Sequence, residues 1–196
     1  MLQIRIHGRG GQGVVTAAEL LSIAAFVQGR HAQAFPSFGS ERTGAPVVAF
    51  CRIDDREIRL REPILAPDVL IVQDPTLLHQ VDVFQGLMPD GYVLINSRRS
   101  FDELGLSEMA AQFRRERLLT VPATEIALKH LGRQLPNAVL LGGFAALAGL
   151  VSLAAVGQAI HDKFSGKVAD ANVAAAAEAF AAVQAQMEEA THAQAD

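Results

Sequence analysis

The chain has one cysteine, one tyrosine and no tryptophan among its 196 residues. A lone Cys51 permits no disulfide within the chain, and by itself it cannot ligate an iron–sulfur cluster. Without tryptophan, and with a single Tyr92, there is little for nucleic-acid bases to stack on. No Lys/Arg cluster of duplex-binding size is present either, so a nucleic-acid partner is not expected. The six histidines, at 7, 31, 79, 130, 161 and 192, have no close ligand spacing, which argues against a metal site. Charged residues make up only 19% of the chain, while 50% are hydrophobic. Such a dry composition suits either a subunit that hides surface in a complex or a plain Ala-rich α/β domain. No basic segment followed by an apolar run opens the chain, so a cytoplasmic location is expected.

Long apolar runs are scarce as well. Val139 to Ile160 comes nearest to a bilayer span, but Gly142, Gly143, Gly149 and Gly157 interrupt it and no aromatic belt flanks it. A buried helical hairpin is expected instead, and no membrane contact. There are no internal repeats and no linker. The expected organisation is a single domain over residues 1–190, with 191–196 as a disordered tail. Net charge is −4, unevenly spread. Residues 1–61 carry eight arginines against five acids, so the anion-attracting part of the chain is its beginning.

That beginning holds the most informative motif. Gly8-Arg9-Gly10-Gly11-Gln12-Gly13 follows a strand pattern (Leu2, Ile4, Ile6) and runs into an apolar helix pattern from Val14 to Val27. Strand, glycine loop and helix form the phosphate-cradling unit of α/β proteins. The same loop can equally serve only to turn a strand tightly onto its helix. The acid that holds a dinucleotide ribose about 20 residues after such a loop is missing, since the first one downstream is Glu41. A nicotinamide dehydrogenase is therefore not the expected reading.

Further strands are expected at Pro46 to Ile53, Glu57 to Leu60, Val69 to Val72, Tyr92 to Asn96 and Leu118 to Val121. The first two, around Asp54-Asp55, read as a β-hairpin. The nearly continuous apolar runs at 69–72 and 92–95 read as buried parallel strands. Thr76 to Gln85 is expected as a short crossover helix. Later helices are expected over Thr124 to Gly132, Asn137 to Leu150, Ser152 to Phe164 with Ser152 as N-cap, and Val168 to Glu189. On the first strand Gln3, Arg5 and His7 alternate with apolar residues. That polar face is either half-exposed or meets a partner. The fold class is thus α/β: a central, mostly parallel sheet with a β-hairpin, flanking helices and a Rossmann-like glycine loop after the first strand.

Candidate binding residues follow from this frame. Gly8, Gly10, Gly11 and Gly13 can receive phosphates or only shape the turn. Gln12 and Thr16 offer hydrogen bonds at the helix start. Ser40, Glu41, Arg42 and Thr43 form a polar cluster pinned between glycines and prolines. Within it Arg42 is the best phosphate or carboxylate ligand, because its guanidinium can grip two oxygens at once. Asp74 sits where α/β sheets place ligands, or else caps the following turn. Asn96, at the end of the expected strand from Tyr92, is a further candidate. Cys51 reads as a buried strand residue.

The glycine loop, together with Pro36-Ser37-Phe38-Gly39-Ser40-Glu41-Arg42-Thr43-Gly44-Ala45-Pro46-Val47, resembles the gamma subunit of 2-oxoacid:acceptor oxidoreductases, the pyruvate:ferredoxin oxidoreductase type. The resemblance continues through Pro67 to Pro75, Leu94-Ile95-Asn96-Ser97, Asn137 to Gly143 and a late helix carrying Asn172. It covers about residues 3–185. It implies a multi-subunit enzyme that converts a 2-oxoacid and CoA to acyl-CoA, CO2 and reduced acceptor. Thiamine diphosphate with magnesium and [4Fe-4S] clusters would be held by thiamine-binding and iron–sulfur partner subunits. The acceptor would be ferredoxin or, through an NAD-reducing subunit, NAD; phenylglyoxylate enzymes share this unit too. No catalytic residue is expected on this chain. Its implied share is to shape the complex and the approach of CoA; the alternatives are a stand-alone nucleotide or phosphate-ligand binding module and a purely structural subunit.

Overall fold

The computed structural model describes residues 1–37 and 43–193. Six strands form one sheet: β1 (Leu2–Arg9), β2 (His31–Pro36), β3 (Pro46–Asp54), β4 (Val69–Val72), β5 (Tyr92–Asn96) and β6 (Leu118–Val121). Their order is β2-β3-β1-β4-β5-β6. β1, β4, β5 and β6 run parallel, while β3 is antiparallel to both β1 and β2. The mostly parallel sheet is as the apolar runs foretold.

The expected hairpin forms differently. β3 pairs with β2, which precedes it in the chain, and residues 57–60 form no strand. β1 and β2 occupy both edges of β3, so no edge is left for 57–60. The carbonyls of Leu60 and Glu62 instead accept hydrogen bonds from the Arg52 guanidinium, at 3.4 and 2.7 Å.

Five helices cover one face: α1 (Val14–Val27), α3 (Ala123–Leu131), α4 (Asn137–Ala148), α5 (Leu153–Lys163) and α6 (Gly166–Ala193). The even residues of β1, Ile4 and Ile6, point into this core with Cys51, Ile71, Leu94 and Phe144. The apolar stretch from 139 to 160 splits at Gly149 into α4 and α5, and Ser152 caps α5 by accepting the Ala155 N–H at 3.1 Å. Among the described residues no helix is long and apolar enough to cross a membrane. α6 runs on to Ala193; residues 194–196, within the expected tail, lie outside the described residues.

On the opposite face β4, β5 and β6 pack Leu70, Val72, Ile95 and Leu118 against Leu77, Val83, Phe101 and Leu104. Among the described residues that side carries only short turns, including α2 (Ser107–Ala110). The crossover from β4 to β5 begins with a single 3-10 turn over Pro75–His79 rather than the helix expected to Gln85. Carbonyls that a longer helix would need accept from Arg5 instead: Val83 at 2.9 Å and Gln85 at 2.6 Å. The polar face of β1 is accordingly half-buried at Gln3 and covered further along. Arg5 and His7 are each only 7% exposed.

α4 and α6 approach through Gly142, where an added Cβ would fall on the Ala176 carbonyl. In α5, a Cβ at Gly157 would meet only Val173 methyls at 3.9 Å. Gly142→Ala should therefore destabilise by about 1–3 kcal/mol. Gly157→Ala should stabilise by about 0.5–1 kcal/mol, because it removes backbone freedom from the unfolded chain. Urea unfolding of both variants checks the opposite signs.

Candidate functional site at the carboxyl ends of β1 and β4

β1 ends in the glycine turn. Gly13 stands at the α1 N-terminus in the left-handed region (φ 69°), with no side-chain cap. A Cβ there would overlap the Asn137 amide, and one at Gly8 would lie 3.1 Å from both the Gln12 and Gln73 amide oxygens. These two glycines are required by the chain's own packing. Gly11 differs: it is exposed, at φ 93°, and its Cβ would meet nothing closer than Thr43 at 4.0 Å. Two N–H groups of the loop are already engaged. Gly10 donates to Ala45 O at 2.9 Å and Gln12 to Arg9 O at 3.0 Å.

Gln12 turns toward β4. Its Oε1 accepts the Arg9 N–H at 2.8 Å and its Nε2 donates to Asp74 Oδ2 at 2.8 Å. Asp74 also accepts from the Thr76 N–H at 2.9 Å, which makes it the N-cap of the turn after β4. Arg9 binds Asp74 at 3.2 Å, Thr76 Oγ1 and Gln80 Oε1 at 2.7 Å each, and Gly44 O at 3.0 Å. Arg9 is the residue that reading the motif for its glycines overlooked. Its position inside Gly8-Arg9-Gly10 was the available signal.

A small cavity of about 220 Å³ brings together Arg9, Gly10, Gly11, Gly13 and Thr16, room for a phosphate-sized group. Thr43 stands beside it, bridged to Gly10, and is exposed. Ser40, Glu41 and Arg42 lie outside the described residues. Asn96 is apart from this cavity. It is buried, donates to Gln73 O at 2.8 Å and Thr124 Oγ1 at 2.7 Å, and accepts the Thr124 N–H at 3.1 Å. It thereby clamps β5 to the residue after β4 and to the start of α3.

Electrostatics follow burial. His7 is held near pKa 4 by desolvation and by the Arg5 charge, so it is neutral at pH 7. Burial raises the Cys51 thiol to about 12, which keeps it protonated. For Asp74, burial opposes ionisation, but the Thr76 and Gln12 hydrogen bonds and Arg9 outweigh it and hold the pKa below the usual value.

Residues 3–182 match the pyruvate ferredoxin/flavodoxin oxidoreductase family model. The chain belongs to that family. It is similar to the common gamma subunit of the pyruvate/ketoisovalerate oxidoreductases of Pyrococcus abyssi, at 48% identity over 94% of this chain and 98% of the relative. The crystal structure of the pyruvate oxidoreductase subunit PORC from Thermotoga maritima superposes with a TM-score of 0.76, at 36% identity, over 91% of this chain and 94% of that one. A 2-oxoglutarate:ferredoxin oxidoreductase from Magnetococcus marinus, solved with 2-oxoglutarate, coenzyme A and succinyl-CoA bound, shares the fold. That likeness has a TM-score of 0.72 at 19% identity and covers 94% of this chain but only 31% of the longer one. Within the family the chain is thus a gamma-type subunit of a 2-oxoacid oxidoreductase.

Two pH effects follow. The unfolded chain binds a proton at the His7 position from its ordinary pKa of 6.5 downward, whereas the folded chain does so only near 4. Stability should therefore fall as pH drops through that window, by up to about 3 kcal/mol. His7→Gln should flatten the decline in urea midpoints measured at pH 7, 5.5 and 4.5. Asp74 works through its ionised form, so its contribution is present at neutral pH and is lost as pH falls through its folded pKa. Asp74→Ala should cost about 1–3 kcal/mol at pH 7, and the gap from the parent chain should close in acid.

Proposed function

We propose that this chain is the gamma subunit of an enzyme oxidising pyruvate or a branched 2-oxoacid, and that its glycine turn helps to receive CoA. The carrying observation is similarity to free-standing gamma subunits along nearly the whole length of both chains. Thiamine diphosphate with magnesium and [4Fe-4S] clusters supply the decarboxylation and electron-transfer chemistry from partner subunits, with ferredoxin or an NAD-reducing subunit as acceptor.

This chain's residues would act on the co-substrate. The first-turn N–H groups of α1, the open Gly11 and the Thr16 side chain fit one phosphate group of CoA. The cavity they line is far smaller than CoA itself, so most of that molecule would lie on partner subunits. Arg9 is fully engaged by Asp74, Thr76, Gln80 and Gly44, so the added charge would come from a second cation, for which we propose Arg42, outside the described residues. A second reading, a purely structural subunit, is favoured by Gly8 and Gly13, whose space this chain's own side chains already fill.

Arg42→Ala in the assembled complex distinguishes the two. Loss of one charge-assisted contact should raise the CoA requirement roughly 10- to 150-fold and leave the 2-oxoacid requirement unchanged. Copurification of the partner chains first confirms assembly. Unaltered CoA kinetics in an intact complex would leave the structural reading.

A further inference from the structure

A second cavity, of about 460 Å³, lies at the junction of α3, α4 and α6. Its lining joins two kinds of chemistry. Leu131, Leu135, Phe164 and Val168 form an apolar wall, and Asn137, Asn172, Arg133 and Lys167 supply polar heads. That mixture, mostly apolar with a few polar groups, is the composition of small-molecule sites.

Neither Arg133 nor Lys167 has a partner among the described residues. Glu178 of α6 is held by Lys129 at 2.7 Å and by His130 at 2.6 Å, and Asp170, also on α6, is exposed. Two cations thus remain at the mouth of an apolar cavity. The two asparagines behind them are each 6% exposed. Asn172 donates to Val168 O at 2.8 Å, and Asn137 reaches only Gly13 O, at 3.5 Å. The positive charge at this cavity is carried by the Arg133 and Lys167 side chains. A guanidinium facing an apolar wall suits a planar carboxylate that it can grip by both oxygens.

We propose that this cavity binds a small monocarboxylate with an apolar tail. It is a site separate from the glycine turn, with Arg133 and Lys167 holding the carboxylate and Leu131 and Phe164 the tail. Asn137 touches both this cavity and Gly13, so an occupant would press on the residue that seats the α1 N-terminus.

Titration of the full chain with hexanoate tests this, read by NMR at the Asn137 and Asn172 side-chain amides and by calorimetry. Saturable millimolar binding that moves both amides is expected. Hexanamide, which lacks the charge, and inorganic phosphate, which lacks the tail, should each bind at least about tenfold more weakly. Arg133→Gln and Lys167→Gln alter exposed side chains, and their folding is verified by thermal melting. Each should weaken hexanoate by about the same factor. The proposal is overturned if hexanoate does not saturate, if it moves neither amide, if hexanamide or phosphate binds as well, or if folded variants bind like the parent chain.

Discussion

The carboxylate of Asp74 holds together the part of the fold on which the rest depends. It receives Gln12 and Arg9 from the end of β1 and caps the turn that leaves β4. One ionised group therefore fixes the glycine turn, the entry of α1 and the first step of the crossover to β5. The crevice where the connections from β1 and β4 diverge is the usual ligand position of an open α/β sheet. Here much of it is closed by the chain's own ion pair and amides. Among the described residues, what stays open is the narrow space beside Gly11 and Thr16.

Buried arginines do for the far face what helices do for the near one. Arg5 and Arg52 lie flat under segments without regular structure and satisfy carbonyls of Val83, Gln85, Leu60 and Glu62. Arg52 also stacks over the Phe35 ring, 5.4 Å from its centroid. Backbone carbonyls buried without partners cost about 1–3 kcal/mol each, so these loops stay down because the sheet itself supplies donors. His7, beside Arg5, remains neutral for the same reason that the loops are ordered: the face is dry.

Most elements were legible because their signals are local. Alternation in β1, unbroken apolar runs in β4 and β5, glycine stops and the Ser152 cap act within a few residues, and each lies where its pattern put it. The misplaced elements depended on distant partners. Residues 57–60 have strand composition, but both edges of β3 were filled by segments that precede β3 in the chain. His31–Pro36 has too little β-branched character to announce itself, and it became a strand because the free edge of β3 accepts it. Asp74 as a cap was visible from Pro75-Thr76. Its pairing with Gln12 and Arg9, more than sixty residues away, was not.

The sequence by itself determined the family, the α/β class and the presence of a glycine turn between a strand and a helix. Motif spacing and periodicity are properties of neighbouring residues and need no fold to be read. Only the tertiary structure decided how much of that turn remains open to a ligand. Gly8 and Gly13 face Gln73 and Asn137, side chains 65 and 124 residues further along the chain. Whether a glycine leaves room for a phosphate or for the protein's own amide depends on which distant side chain packing delivers to it. The same packing leaves Arg133, in the loop after α3, and Lys167, on α6, lining one cavity.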